Sequence, residues 1–165
     1  MKRILVICPF PYGVAAGQRL KYEQYFDYWK ENGYDVTMSP FLDLKTWKIL
    51  YKPGNYTTKI VGVLRGYFIR ICDIFRIQHY DIVYVFMWVT PFGTSFFERL
   101  CRLLSKKLVY DIEDNVLIEK SNNINPFVKK LKSAGKTEHL IKTADHVITS
   151  APFLNEHCLG INEKK

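Results

Sequence analysis

The hydrophobic pattern divides the chain into short apolar runs separated by segments of helical periodicity. The first run, residues 3–8, is continuously apolar and ends at a Pro/Gly loop, which is typical of a buried parallel strand. Four later runs are rich in β-branched and aromatic residues and predict further strands. The five predicted strands are 3–8, 35–40, 81–87, 107–112 and 146–149.

Apolar residues at helical spacing predict the intervening helices over 18–32, 57–77, 95–105 and 126–143, with a last one beginning near 150. Gly33 supplies the stop of the first helix, and Ser95-x-x-Glu98 is a capping-box pattern opening the third. Strands alternating with helices predict an α/β, Rossmann-like open parallel sheet with helices on both faces. In such sheets ligands bind at the carboxyl ends of the strands, here the loops 9–17, 88–93, 113–125 and 150–152.

Length and residue types restrict the class of protein. The chain has 165 residues, 48% of them apolar, which is enough for one well-packed domain. We predict a Rossmann-like domain over 1–150 and the start of a linker or helix over 151–165. The four cysteines and four histidines show no metal-ligand spacing, so no metal site is expected, and the cysteines are predicted to be buried thiols of a cytoplasmic protein.

The positive charge is concentrated in one stretch. The chain carries a net charge of +8, and residues 45–76 hold seven basic residues and one acid among many aromatic and aliphatic residues. Two interpretations remain open: a solvated helix, or a surface lying against anionic lipid, where each cation adds about 1 kcal/mol. No nucleic-acid-binding motif accompanies the charge. The candidate membrane patch consists of Lys48, Lys52, Lys59 and Arg65.

The first strand-end loop, 9–17, is rich in small residues. Gly13 and Gly17 would let backbone amides approach a phosphate at the start of the next helix, and Arg19 would add a charge. The spacing is neither GxGxxG nor that of a P-loop. A small-residue turn needed only for close strand–helix packing is the alternative.

The third strand-end loop is acidic. Asp111 and Glu113 fall on the same side by strand alternation, and Asp114 and Asn115 follow in the loop. Carboxylates at such a position are hydrogen-bonded or functional, because unpaired burial is costly, and burial raises a carboxylate's pKa towards that of a useful base. Capping of the turn by Asp114 or Asn115 is the alternative. Glu23, on the first predicted helix, is expected to be a solvated surface charge.

Four segments carry a resemblance to a known family. KRILVICPFPYG, YDIVYVF, KLVYDIEDN and TADHVITSAPFL, in this order and spacing, resemble the N-terminal domain of GT-B-fold glycosyltransferases of the family 4 kind. The resemblance implies an acceptor-binding domain with Glu113 and Asp114 in the catalytic position. It also implies a donor-phosphate loop at Gly13, Gly17 and Arg19, and acceptor contacts from Trp88, Asp111 and Asn115. Glu113 stands where many members have a histidine.

The resemblance also implies what lies beyond this domain. In that family a C-terminal domain binds the nucleotide sugar, so that domain or a partner subunit is the expected partner, and no cofactor is expected on this chain alone. We predict transfer of a glycosyl group to a saccharide or lipid-linked acceptor at the inner membrane face in polysaccharide assembly, with no turnover by the isolated domain. The alternative is a stand-alone flavodoxin-like binding or signalling module without catalysis.

Overall fold

Five parallel strands form the sheet within residues 1–113 and 135–162, the parts of the chain that the computed structural model describes. Their spatial order is β2-β1-β3-β4-β5, with neighbours paired in parallel register. The predicted Rossmann-like α/β sheet is confirmed. The strands are β1 (Lys2–Cys8), β2 (Tyr34–Pro40), β3 (Ile82–Phe86), β4 (Leu108–Ile112) and β5 (His146–Thr149).

Helices connect successive strands, as parallel pairing requires. The predicted helix over 126–143 is confirmed from Gly135 onward, and its first part lies outside the described residues. No helix in the described ranges is long and apolar enough to cross a bilayer. The helices are α1 (Ala16–Lys21), α2 (Phe26–Glu31), α3 (Leu44–Ile49), α4 (Tyr56–Arg76), α5 (Phe96–Leu104), α6 (Gly135–Thr143) and α7 (Pro152–Leu159), with single 3₁₀ turns at Glu23–Tyr25 and Ile77–His79.

Strand alternation divides the core into two layers. In β1, Leu5 and Ile7 face the layer packed against α4, α5, α6 and α7, whereas Val6 faces the layer built with α1 and α2. Tyr22 is fully buried in the second layer, where its ring lies 5.3 Å from those of both Tyr84 and Phe86. Both faces of the sheet therefore contribute to the core.

The predicted first helix is interrupted. Instead of one helix over 18–32, α1 ends at Lys21, Tyr22 leaves the helical conformation with φ −136°, and α2 starts at Phe26. Leu20, counted among the apolar positions of that helix, is 70% exposed. The break turns Glu23 inward, where its carboxylate accepts a hydrogen bond from the Gly13 amide. The break in the helix and the burial of this acid therefore occur together.

Two further sequence expectations are wrong in the described residues. Ser95 does not cap α5 through its side chain, and the Glu98 carboxylate instead accepts hydrogen bonds from the amide and hydroxyl of Thr90, each at 3.1 Å. Cys72 is exposed, whereas the other three cysteines are buried as expected. Glu98 thus holds the loop after β3 rather than the start of its own helix.

Arg70 of α4 binds the carboxyl edge of the sheet from the face on which α4 packs. Its fully buried guanidinium donates to three backbone carbonyls: Cys8 at 2.9 Å, Ser39 at 3.0 Å and, from Nε, Val89 at 2.7 Å. It also pairs with Asp73 at 2.8 Å. This one side chain therefore bonds to the ends of β1 and β2 and to the loop after β3, and it does so at Cys8 in addition to the Phe41 amide, which donates to the same carbonyl.

Candidate functional site

Asp111 lies at the end of β4 and is almost completely buried. Its carboxylate pairs with the ammonium group of Lys21, from the last turn of α1, and accepts a hydrogen bond from the Tyr84 hydroxyl. Lys21 also lies 3.4 Å from the carbonyl of Ile112. The three side chains form a polar cluster on the α1 side of the sheet.

Burial dominates the electrostatics of this cluster. It raises the pKa of Asp111, and the hydrogen bonds from Lys21 and Tyr84, which favour the carboxylate, only partly oppose the effect. Burial beside Asp111 also raises the pKa of the Tyr84 phenol well above its usual range. Asp111 is enclosed by its partners, so we assign it to holding Lys21 and the strand end in place.

Glu113, two residues further, is half-buried and reaches the start of α1. A Cβ built on Gly17 would lie 2.5 Å from Oε1 of Glu113, so a larger residue there would force the flexible end of the Glu113 side chain to move. The carboxylate therefore occupies the space that any other residue at position 17 would fill. The absence of a side chain at Gly17 lets the Glu113 carboxylate lie against the start of α1.

Internal hydrogen bonds hold the loop 9–17. The amide of Phe10 donates to Oε1 of Gln18 at 3.0 Å, and the Gln18 amide group donates to the Phe10 carbonyl and to Glu23. Gly13, at φ +77°, donates its amide to Oε2 of Glu23 at 2.9 Å. The expectation of a solvated Glu23 is wrong, because this buried carboxylate occupies the amide of a predicted phosphate-binding glycine.

The remaining predicted ligand residues are spread along the same edge. Arg19 is exposed on α1, close in sequence to the Lys21–Asp111 pair. Trp88 follows β3 and packs edge-on against Phe41, with ring centroids 5.5 Å apart, on the α4 side of the sheet. Asp114 and Asn115 lie outside the described residues. The structure therefore brings Gly17, Asp111 and Glu113 together on the α1 side of the sheet. Trp88 lies apart from them, against Phe41 on the α4 side.

The predicted membrane patch lies on and between α3 and α4. Lys48, Lys52 and Arg65 are exposed, and Arg65 is 3.8 Å from Asp43 at the start of α3. Lys59 is half-buried, with its ammonium group 5.7 Å from the centre of the Tyr56 ring. These cations surround the first half of α4.

The parts of the chain that the structure describes contain an apolar groove away from this edge and no metal centre. No group of three or more His, Cys, Asp or Glu side chains there is arranged to hold a metal ion. An open apolar groove of about 500 Å³ lies on the second face of the sheet, lined by Trp29, Tyr84, Val109 and Ile148 among others. It lies beside the strands rather than at their carboxyl ends, so it is separate from the Gly17–Glu113 contact.

Sequence reasoning missed the residues that hold this edge together. Lys21 pairs with Asp111, which is 90 positions away, and no local sequence pattern predicts such a contact. Tyr84 could have been found from strand alternation. It lies on the same face of β3 as Phe86, and Phe86 is paired with Asp111 in the neighbouring strand. Glu113 adds a half-buried carboxylate to this edge, and carboxylates accept hydrogen bonds from hydroxyl groups.

Comparison with known proteins returned no support for a family. No protein-family model matches the chain, and no curated protein matches it significantly. What the molecule itself establishes is a Rossmann-like parallel α/β domain in which the ends of β1, β3 and β4 are held by buried polar side chains.

Proposed function

We propose that this chain is the acceptor-binding part of a sugar transferase that moves a glycosyl group from a nucleotide sugar to a saccharide or lipid-linked acceptor. The observation that supports it is the Glu113–Gly17 contact at the carboxyl end of β4. Parallel α/β sheets bind ligands at this edge, and a carboxylate there can orient or deprotonate an acceptor hydroxyl.

The proposal divides the work between the two sides of the loop 9–17. Glu113 faces the acceptor, while Lys21 and Asp111 hold the strand end below it. Arg19 is exposed two residues after the loop 9–17, where its guanidinium could bind a phosphate. Because Glu23 already occupies the Gly13 amide, donor binding requires a second domain to supply most of the diphosphate contacts, and we expect no turnover by this domain alone.

The proposal includes a cytoplasmic location at the inner membrane face, in polysaccharide assembly. Its support is the group of exposed cations around α3 and α4, which would attract anionic lipid. A lipid-linked acceptor is presented at that surface, so association with it would raise the local acceptor concentration.

A chemical-shift titration of the ¹⁵N-labelled chain tests the acceptor site. The probes are the methyl glycosides of glucose, galactose, mannose and N-acetylglucosamine, and separately a short-chain polyprenyl phosphate in detergent. We expect at least one probe to shift the amides of Gly17, Lys21 and Glu113 together. Shifts confined to the groove beside Trp29 and Tyr84 would contradict the proposed site.

FMN serves as the probe for the alternative, a flavodoxin-like module. Saturable binding of FMN at the loops 9–17 and 88–93, with no saccharide response, would replace the transferase proposal. Transfer of sugar from UDP- or GDP-sugars by this chain alone would contradict the assignment of an acceptor-binding part that needs a second domain.

A further inference from the structure

The faces of α4 are distributed in the opposite way to those of an ordinary surface helix. Such helices bury their apolar residues and expose polar ones. In α4 the fully buried residues are Gly62, Gly66, Arg70 and Asp73, flanked by the half-buried Tyr67 and Ile74. The helix therefore turns most of its large aliphatic and aromatic side chains outward.

The glycines explain why the inward face is small. A Cβ on Gly62 would lie 2.3 Å from the Thr46 hydroxyl oxygen, and a Cβ on Gly66 would lie 2.6 Å from the Phe41 ring. α4 consequently packs closely against α3 and the residues after β2, with no room to rotate its apolar side inward. The outward orientation is fixed by this packing.

We call the outward apolar residues the outer stripe. Five of them are spaced alternately three and four residues apart, so they fall on one face along almost the whole helix. Each is between 46% and 77% exposed. Single exposed apolar residues are common on protein surfaces, but a continuous row of them is typical of an interaction surface. The outer stripe consists of Ile60, Val61, Leu64, Phe68, Ile71 and Phe75.

The charge around the outer stripe identifies its partner. No acidic residue occurs between Leu44 and Cys72, and that interval contains Lys45, Lys48, Lys52, Lys59 and Arg65 in addition to the buried Arg70. A second copy of the chain would bring two such cationic surfaces together, which is unfavourable. An anionic bilayer offers both acyl chains for the stripe and opposite charge for the lysines.

We propose that α4 lies flat on an anionic phospholipid bilayer with its outer stripe inserted at the boundary of headgroups and acyl chains. The proposal deepens the membrane association in the proposed function, but it rests on the surface of α4 and not on sugar transfer. It assigns binding to inserted side chains as well as to the lysines, so that neither group alone is sufficient.

Flotation with large unilamellar vesicles tests both parts of this surface. We expect the chain to float with vesicles of three parts phosphatidylcholine to one part phosphatidylglycerol, and at least tenfold less with phosphatidylcholine alone. Phe68→Glu should reduce partitioning onto the anionic vesicles at least tenfold. Its matched control is Phe153→Glu on α7, a phenylalanine of similar exposure beyond the opposite edge of the sheet, which should stay within twofold of the unsubstituted chain.

The charge arm uses a variant with Lys48, Lys52, Lys59 and Arg65 all changed to serine. We expect at least tenfold weaker partitioning onto anionic vesicles with unchanged far-ultraviolet circular dichroism. Binding equal to that of the unsubstituted chain, either in this variant or in Phe68→Glu, would overturn the proposal. Failure of the unsubstituted chain to float would overturn it as well.

Cys72 gives a readout that needs no substitution. It is exposed beside Phe68 and Phe75 on α4, whereas Cys8, Cys101 and Cys158 are fully buried, so a maleimide–NBD probe labels it selectively. Insertion should raise NBD emission at least twofold with a blue shift, and doxyl-labelled lipid should quench it. Emission unchanged by vesicles would overturn the proposal even if Phe68→Glu fails to fold.

Sedimentation equilibrium distinguishes the competing occupant. A dimer that Phe68→Glu dissociates, in a chain that does not float, would assign the outer stripe to a second copy and overturn the bilayer proposal. The saccharide titration is run without vesicles, so a failure there would contradict the acceptor site and leave the membrane surface standing.

Discussion

Two of the buried ion pairs in the described part of the chain lie at the same edge of the sheet and differ in how completely they are enclosed. On the α4 side, Arg70 and Asp73 are fully buried, and the guanidinium also bonds to three backbone carbonyls. On the α1 side, Asp111 is equally buried, but its partner Lys21 remains 16% exposed and reaches only one backbone carbonyl.

The difference separates a structural clamp from the edge where we propose that an acceptor binds. Arg70 is fully buried, and all three of its guanidinium nitrogens bond to acceptors of the protein, so it serves to hold strand ends. Lys21 is partly exposed, and the neighbouring Glu113 and Gly17 are only half-buried. Removing one member of each pair distinguishes these two roles.

The largest effect is expected from Arg70→Met. It leaves the Asp73 carboxylate buried with only Ser39 and Arg76 as partners and removes the donors to three carbonyls. Breaking a buried pair in this way costs about 3–5 kcal/mol of unfolding free energy. Urea denaturation measures it, with the exposed Arg19→Met as the control, expected to change stability by less than about 0.5 kcal/mol. Equal effects of the two would refute the clamp.

A smaller loss is expected from Lys21→Met. Asp111 keeps the Tyr84 hydroxyl, and Lys21 was already partly solvated, so the cost should be about 1–3 kcal/mol, that of leaving one buried polar group short of a partner. The same denaturation experiment measures it. A loss as large as that of Arg70→Met would show that both pairs are clamps.

The Asp111 pair also gives a pH dependence of definite sign. Because burial raises the pKa of Asp111, the folded chain binds this proton more tightly than the unfolded chain, whose aspartates titrate near about 3.9. Stability from this group therefore increases as pH falls through its folded pKa and becomes constant below the unfolded value. The unfolding free energy of the unsubstituted chain minus that of Asp111→Asn should therefore increase as the pH is lowered from 7 to 4.5. A constant difference would contradict the assignment.

The smallest stability effect belongs to Gly17→Ala. Alanine favours the helix by about 0.5–1 kcal/mol, while its Cβ displaces the flexible end of Glu113, so the net change should be within about 1 kcal/mol. Gly160→Ala is the control, since its Cβ would make only an ordinary contact at 3.5 Å. Saccharide-induced shifts should weaken in Gly17→Ala alone. Equal responses in the two variants would remove Glu113 from the site.

The sequence pattern predicted the sheet well because each strand is a nearly continuous apolar run between loop residues. The ends of α4 were likewise predicted within one residue. The packed face of α4 could not be predicted, because Gly62 and Gly66 carry no hydropathy signal and the choice depends on Thr46 and Phe41. Hydrophobic periodicity shows that a helix has an apolar face but not that this face is buried.

The candidate site was predictable only as a location. The acidic end of β4 and the small residues of the loop 9–17 are visible in the sequence, and Glu113 and Gly17 do meet. The partners that decide the chemistry are not visible. Lys21 comes from a helix 90 positions away, and Glu23 turns inward only because the predicted first helix breaks at Tyr22.

The saccharide affinity of a Glu113→Gln variant is the sharpest test of Glu113 as a ligand of the acceptor. Glutamine keeps the shape of the side chain and removes its charge, and a hydrogen bond to a charged group contributes about 1.5–3 kcal/mol. For whichever methyl glycoside shifts the Gly17 amide, we predict at least about tenfold weaker binding in Glu113→Gln, with unfolding free energy little changed, and no loss in Glu138→Gln on α6. Unchanged affinity in Glu113→Gln would contradict the account.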